Sequence, residues 1–170
     1  MKIKIRPWEI SDLENLVKYA NNWNVAKNLT DAFPHPYTEA DGNSFIANAF
    51  KGFPIQIFAI DNVGQAIGAI GIHTQTDIHQ KNAEIGYWLA EPFWGQGIMS
   101  DAVKQIVDYA FNTLEIDRIF ARPFGTNLAS QKVLEKNNFK LEARFEKTLF
   151  KNGEYLDELV YAIRRNYWNI

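Results

Sequence analysis

Gly95 and Gly97 stand one residue apart where a strand-like apolar segment gives way to a strongly periodic, helix-like segment. The start of a helix leaves its first backbone N–H groups unpaired and carries a partial positive charge, so it suits a phosphate group. Glycines let a ligand approach the backbone closely, and the amides of about residues 96–100 would converge on a diphosphate without any lysine. Alternatively, the glycines only shape a strand-to-helix turn, and their spacing alone leaves both interpretations open.

Two better-known phosphate motifs do not fit this turn. A P-loop requires four residues between its glycines, followed by Gly-Lys-Ser or Gly-Lys-Thr, which is missing here. A dinucleotide-binding fingerprint requires a third glycine where Ser100 stands, and the strands upstream resemble a meander rather than the opening of a βαβ unit. The spacing therefore argues against both nucleotide sites.

Hydrophobic periodicity predicts the elements that position the turn. Period-two or isoleucine-rich segments predict strands near residues 3–6, 55–61, 66–74, 83–90, 117–122, 139–150 and 155–164. Helical spacing predicts helices after a Ser11–Glu14 capping box, after Thr38, at about 98–114 and at about 127–137. This order predicts an α/β or α+β fold with a mixed sheet, in a single domain over residues 1–170.

The composition excludes several classes of function. A net charge of -2 supplies no positive field for nucleic acid or an anionic membrane. The absence of cysteine excludes disulfides, thiolate metal sites and a cysteine nucleophile. His35, His73 and His79 have no metal-ligand spacing, so no metal is expected. No apolar stretch suits a signal peptide or a membrane span, so we expect a cytoplasmic protein.

Three segments occur in a fixed order: AEIGYWLAEPFWGQGIMSDAV (83–103), NLASQKVLEKNNFKLEA (127–143) and KNGEYLDELVYAI (151–163). Together they resemble the GNAT superfamily of N-acetyltransferases in its RimJ/RimL-type branch, and the resemblance spans residues 2–168. The superfamily pattern Gln/Arg-x-x-Gly-x-Gly/Ala falls on Trp94, Gly97 and Met99, so its first and last positions differ here. Tryptophan at the first position is common in this branch, and Met99 still offers its backbone amide.

The resemblance implies a strongly twisted mixed sheet of about six or seven strands, flanked by about four helices. The sheet would split into a V between the strands at 83–90 and 117–122. Acetyl-CoA would be the cosubstrate, with its pantetheine arm on the backbone of Leu89 and Ala90. Its diphosphate would lie against Gly95, Gln96, Gly97, Ile98, Met99 and Ser100.

The same resemblance gives roles to three polar side chains. Glu84 lies where relatives place a carboxylate that takes the proton of the amine, directly or through water. Alternatively, it is an ordinary carboxylate on an exposed strand face or is held by a neighbouring base. Asn127 and Ser130 match the family's N-x-x-S, in which Asn127 would bind the pantetheine amides and Ser130 would donate to the leaving thiolate. Alternatively, Asn127 serves as an N-cap and Ser130 is an ordinary residue of the first helical turn. His73 is an alternative candidate for the base.

The predicted activity is acetyl transfer from acetyl-CoA to a primary amine by direct attack in a ternary complex. The favoured acceptor is a protein N-terminal α-amino group, because its pKa of about 8 makes it easier to deprotonate than a lysine near 10.4. Small amines, such as a polyamine, an amino sugar or an antibiotic, are alternatives, and so is a noncatalytic CoA-binding module. These residues do not predict the oligomeric state.

Overall fold

A computed structural model describes residues 3–168, and over that range the chain forms seven strands and five α-helices. The strands are β1 (Lys4–Pro7), β2 (Ile57–Asn62), β3 (Gln65–Thr74), β4 (Asn82–Leu89), β5 (Arg118–Ala121), β6 (Lys140–Lys151) and β7 (Glu154–Arg164). The helices are α1 (Leu13–Ala20), α2 (Trp23–Ala26), α3 (Glu39–Ala49), α4 (Ile98–Thr113) and α5 (Leu128–Lys136). The predicted α/β class is confirmed, and the additional helix is the four-residue α2.

The seven strands form one open sheet in the order β1-β2-β3-β4-β5-β7-β6. β4 and β5 are parallel, whereas β2 pairs antiparallel with β1 and β3, and β7 pairs antiparallel with β5 and β6. The sheet is therefore mixed, as predicted. The parallel register joins Asn82–Glu84 to Arg118–Phe120, the first three residues of β4. This short pairing agrees with the predicted divergence of β4 and β5.

Internal contacts divide the chain into two compact units, and the predicted single domain stays a prediction. The first unit comprises residues up to 71 together with 87–105, and the second comprises 72–86 together with residues from 106 onward. The first unit has a core of aromatic and aliphatic side chains in which Trp8 and Trp88 are buried. Within residues 3–168, no helix combines the length and the hydrophobicity that crossing a bilayer requires.

The strands of the second unit bury one face and leave the other partly open. The inward side chains are nearly inaccessible: Ala83, Ile85, Ile119, Ala121, Leu159, Tyr161 and Ile163. Because successive strand residues point to opposite faces, Glu84, Phe120 and Val160 belong to the other face. These three side chains are only half-buried. Glu84 therefore lies on the more accessible side of these strands.

Local signals for turns and caps were partly right. Thr38 caps α3 in a capping box with Asp41, as its position before the helix predicts. The predicted Ser11–Glu14 box is wrong: the box joins Glu9 to Asp12 around a 3-10 turn that precedes α1. The chain enters α1 through this turn because the Asp12 carboxylate also binds Arg6 on β1.

Arg6 joins two buried carboxylates in the first unit. Its guanidinium donates to Asp12 at 2.7 and 2.8 Å and to Asp61 at 2.7 Å, and Asp61 also accepts from the Gly64 N–H in the β2–β3 turn. Burial alone would raise the pKa of Asp61, but the bonds from Gly64 and Arg6 outweigh it and lower that pKa. The network holds β1, the 3-10 turn and the β2–β3 hairpin together.

We expect Arg6→Met to lower the free energy of unfolding at pH 7 by about 3–5 kcal/mol, because two buried carboxylates lose their counter-ion. Since the folded-state pKa of Asp61 is depressed, its stabilisation is present above its unfolded pKa and is lost as pH falls through the folded value. Urea unfolding measured between pH 7 and pH 3 should therefore show that the difference in free energy of unfolding between variant and wild type becomes smaller as the pH falls. A difference that stays constant over this range would contradict the account.

The matched control is Arg144→Met, which removes an exposed arginine from its pair with Asp157 on β7. Exposed pairs contribute about 1 kcal/mol or less, so this variant should remain close to wild type in urea.

Candidate active site

The two glycines of the predicted phosphate-binding turn lie between a 3-10 turn (Glu91–Phe93) and the start of α4. Gly95 has φ 73 and Gly97 has φ 78, in the left-handed region that side chains disfavour by about 1–2 kcal/mol. A Cβ added at either glycine would meet no atom within 4 Å. The backbone conformation therefore favours glycine, and the space beside the turn is open.

The first amides of α4 are available to a ligand. The Gly97 carbonyl accepts the Asp101 N–H at 3.1 Å and so begins the helix. Among residues 3–168, none accepts a hydrogen bond from the backbone N–H of Gly97, Ile98 or Met99. The backbone at 95–97 is exposed, whereas the side chains of Ile98 and Met99 turn into the core. These N–H groups and the helix dipole produce a positive potential at the turn, which favours an anion.

Two side chains hold the turn in place. Trp94 Nε1 donates to the Leu89 carbonyl at 2.7 Å, and Gln96 Nε2 donates to the Pro92 carbonyl at 3.1 Å. Trp94 departs from the superfamily pattern, and the structure gives it a structural role. Its indole ties the turn to the end of β4.

The backbone positions predicted for pantetheine differ in availability. The Ala90 N–H donates to Ile67 at 2.9 Å, and the Ala90 carbonyl accepts the Phe93 N–H at 3.0 Å. Both groups of Ala90 are therefore engaged within the protein. Gly68 permits this close approach of β3, because a Cβ there would lie 2.4 Å from the Trp88 carbonyl oxygen. Leu89, whose carbonyl has a second lone pair beside the Trp94 bond, is the better position for a ligand.

Glu84 is held by a neighbouring base, one of the two alternatives to its predicted catalytic role. Arg122, just beyond β5, donates from Nε and Nη2 to the two Glu84 carboxylate oxygens, at 2.9 Å each. Arg122 also lies 3.6 Å from the Glu158 carboxylate on β7. The bond to Glu84 is the main cause that raises the pKa of Arg122. Each Glu84 oxygen keeps a second lone pair, so the carboxylate can still accept from water.

His73 lies opposite Glu84 on the neighbouring strand. The Gln75 N–H donates to the Asn82 carbonyl at 2.9 Å, so these two residues face each other across β3 and β4. In an antiparallel pair, the residue two before Gln75 then faces the residue two after Asn82, which places His73 opposite Glu84. His73 is an exposed residue, yet the protein atoms around its ring desolvate the charged form and lower the pKa of His73. The charge of Glu84 opposes that shift without reversing it. At neutral pH, His73 is therefore a neutral imidazole beside a carboxylate.

Asn127 is the N-cap of α5, which was the alternative to its predicted role in binding pantetheine. Its Oδ1 accepts the Ser130 N–H at 3.1 Å, which joins the two residues of the N-x-x-S motif. Among the described residues, Asn127 Nδ2 has no hydrogen-bond partner, so this amide can still donate to a ligand. Ser130 is half-buried in the first turn of α5. The cap and the predicted binding role are compatible, because they use different atoms of Asn127.

Sequence reasoning missed Arg122 and Glu158. Arg122 pairs with both Glu84 and Glu158, and these contacts depend on the register between strands that are distant in sequence, which no local pattern reveals. The alternation along β5 places Arg122 on the same face as Phe120, and this was the only local signal. The structure thus brings Glu84, Arg122, Glu158 and His73 together and joins Asn127 to Ser130, while residues 94–100 form the turn described above. Over residues 3–168, no three His, Asp or Glu side chains cluster as a metal site.

Comparison with known proteins gives consistent matches. Residues 2–140 match the family described as acetyltransferase (GNAT) domain. The chain is 29% identical to the uncharacterized N-acetyltransferase YnaD of Bacillus subtilis (strain 168), over 99% of this chain and 96% of that protein. It is 33% identical to the ribosomal-protein-serine acetyltransferase of Escherichia coli (strain K12), over 63% of this chain and 59% of that protein.

One solved structure with the same fold is RimL, a ribosomal L7/L12 alpha-N-protein acetyltransferase in complex with coenzyme A. The two chains superpose with a TM-score of 0.84 at 24% identity, over 96% of this chain and 94% of RimL.

The pairing of Glu84 with Arg122 predicts how the pKa of His73 responds to substitution. Glu84→Gln should lower that pKa further, because it removes the charge that favours the protonated ring. Arg122→Gln should raise it, because the Glu84 charge is then uncompensated. The titration of the His73 ring protons by NMR measures both shifts, and shifts in the same direction would show that the two side chains do not act as a pair on His73.

Proposed function

This chain belongs to the GNAT family of N-acetyltransferases, and we propose that it transfers the acetyl group of acetyl-CoA to a protein N-terminal α-amino group. The observation that carries the proposal is the start of α4, where unpaired N–H groups meet open space behind Gly95 and Gly97. A diphosphate carries the charge that these groups and the helix dipole favour. Each such contact contributes about 0.3–1 kcal/mol, so several must act together.

The donor site extends beyond this turn in the proposal. Residues 95–100 bind the diphosphate, and the Leu89 backbone together with Asn127 Nδ2 binds the pantetheine arm. Support for these contacts comes from the atoms that remain available: the second lone pair of the Leu89 carbonyl and the Nδ2 donor of Asn127. Ala90 is left out of the backbone contacts because its N–H and carbonyl are engaged with Ile67 and Phe93.

The acceptor is proposed from amine chemistry and from the names of relatives. The amine must lose its proton before it attacks the thioester. At pH 7 this costs about 1–1.4 kcal/mol for an α-amino group and about 4–5 kcal/mol for a lysine side chain. The Escherichia coli relative and RimL are both named as acetyltransferases of ribosomal proteins. A small-molecule amine remains the alternative acceptor class.

The groups proposed for proton transfer are Glu84 and Ser130. Because both oxygens of Glu84 already accept from Arg122, we assign Glu84 to take the proton of the amine through a water molecule. Ser130 would donate to the leaving thiolate. No covalent enzyme intermediate is needed, since direct attack by the neutral amine forms the amide bond and releases the thiol.

A thiol-release assay with acetyl-CoA tests the proposed activity. The panel should contain peptides with unmodified N-termini, the same peptides with blocked N-termini and an internal lysine, and small amines. We expect turnover with the unmodified N-termini and little with the blocked peptides. Turnover with small amines alone would show that the acceptor is a small-molecule amine and not a protein N-terminus. CoA binding without turnover on any member would indicate a noncatalytic binding module.

Gly97→Trp should raise the Kd for CoA about a hundredfold or more, equivalent to about 2.8 kcal/mol, because the side chain fills the space in front of the amides. Gly153→Trp is the matched control: Gly153 has φ 83 in the β6–β7 turn, and a Cβ there also meets open space. Both variants carry similar backbone strain, so only the Gly97 variant should lose CoA in isothermal titration. An equal effect of the two would place the ligand elsewhere.

Glu84→Gln should lower kcat about 10²- to 10⁴-fold while the Kd for CoA changes little, as expected when a general base is lost. The deficit should shrink at high pH, where the amine arrives already neutral. His73→Gln is the comparison, because its lowered pKa also makes it a base at neutral pH. If His73→Gln produces the large, pH-dependent loss and Glu84→Gln does not, His73 is the base.

A further inference from the structure

Glu91 connects the segment before the phosphate-binding turn to a separate part of the first unit. Its carboxylate accepts from Asn22 Nδ2 at 2.8 Å and from Asn24 Nδ2 at 3.1 and 3.2 Å. Glu91 begins the 3-10 turn that leads from β4 to Gly95. The bonds from Asn22 and Asn24 hold the pKa of Glu91 below its ordinary value, so the carboxylate is ionised at neutral pH.

The partner of Glu91 is the asparagine-rich turn, residues 21–24, which comprises the two residues after α1 and the first two residues of α2. Asn22 uses both ends of its amide, because Oδ1 caps α2 through the Asn24 N–H at 2.7 Å while Nδ2 binds Glu91. Asn21 Oδ1 accepts the Tyr37 N–H at 3.0 Å, which fixes the end of the loop after α2. The asparagine-rich turn therefore bonds to that loop on one side and to Glu91 on the other.

A ring contact supports the same connection. Tyr19, near the end of α1, meets Phe93 edge to face, with ring centroids 5.9 Å apart. The segment linked in this way also carries an exposed aromatic pair: the Trp23 side chain is 48% exposed, and its ring centroid lies 5.5 Å from that of His35. A ligand that orders this segment would thus order an aromatic surface on the first unit.

We propose that Glu91 is a positioning residue that couples the phosphate-binding turn to residues 21–37, so that binding of CoA orders the segment carrying Trp23 and His35. This inference rests on the proposed function, since it requires CoA at the turn. A ligand held by the amides at 97–99 restrains the 3-10 turn, and the three bonds of Glu91 carry that restraint to Asn22 and Asn24. Because linkage is reciprocal, a ligand that orders residues 21–37 also strengthens CoA binding.

Hydrogen exchange measured by mass spectrometry, with CoA as the probe, tests the coupling. In the wild-type protein, CoA should slow exchange at 95–100 and also at 21–37, the latter about 5- to 150-fold, the usual range of such couplings. In Glu91→Gln, CoA should still protect 95–100 but add little protection at 21–37. The reason is chemical: the glutamine amide offers one acceptor oxygen, and its NH2 group faces donors on both asparagines.

Two further variants serve as controls. Glu14→Gln changes an exposed carboxylate on α1 in the same unit and should behave as the wild type. Adding Asn24→Asp to Glu91→Gln reverses donor and acceptor, so the new aspartate accepts from the glutamine and protection at 21–37 should return. A role confined to overall stability would not give this rescue.

The outcomes separate the coupling from the proposed function. Protection at 21–37 that persists in Glu91→Gln overturns the coupling while leaving CoA binding in place. Absence of protection at 95–100 in the wild-type protein overturns both. Loss of protection at 21–37 alone, with rescue by Asn24→Asp, supports the coupling.

Discussion

The start of α4 is the constraint on which the rest of the site depends. A helix that begins behind two glycines with positive φ has several backbone N–H groups without internal acceptors, and burying them unpaired would be costly. The protein leaves this end open. Trp94 binds the Leu89 carbonyl, and Gln96 binds the Pro92 carbonyl, so two side chains restrain the turn in part before any ligand arrives. Such preorganisation reduces the entropy lost on binding.

The charged side chains around Glu84 also depend on one another. Arg122 lies between Glu84 and Glu158, and the Glu84 charge in turn acts on His73. A substitution at any of these positions therefore changes the electrostatic environment of the others. Residue type alone therefore does not decide which side chain in this cluster acts as the base, because Arg122 binds both carboxylate oxygens of Glu84.

The sequence predicted what local patterns control. The Thr38 cap, the β2–β3 hairpin and the helix after the glycine turn all follow from spacing and composition, and the structure contains each of them. What it missed depends on distant partners. Asp12 binds Arg6 and forms the capping box with Glu9, in place of the predicted Ser11–Glu14 box. The Ala90 N–H donates to the Ile67 carbonyl. Arg122 contacts Glu84 because β4 and β5 are neighbours in the sheet. None of these contacts has a signature within one segment.

The most direct test of the central claim is an NMR titration of backbone amides with CoA and, separately, with pantetheine, which lacks the diphosphate. The account predicts large amide shifts at Gly97, Ile98 and Met99 with CoA, and small shifts at the same residues with pantetheine. Equal shifts with both ligands, or CoA binding that leaves these three amides unchanged, would contradict the claim that the start of α4 binds the diphosphate.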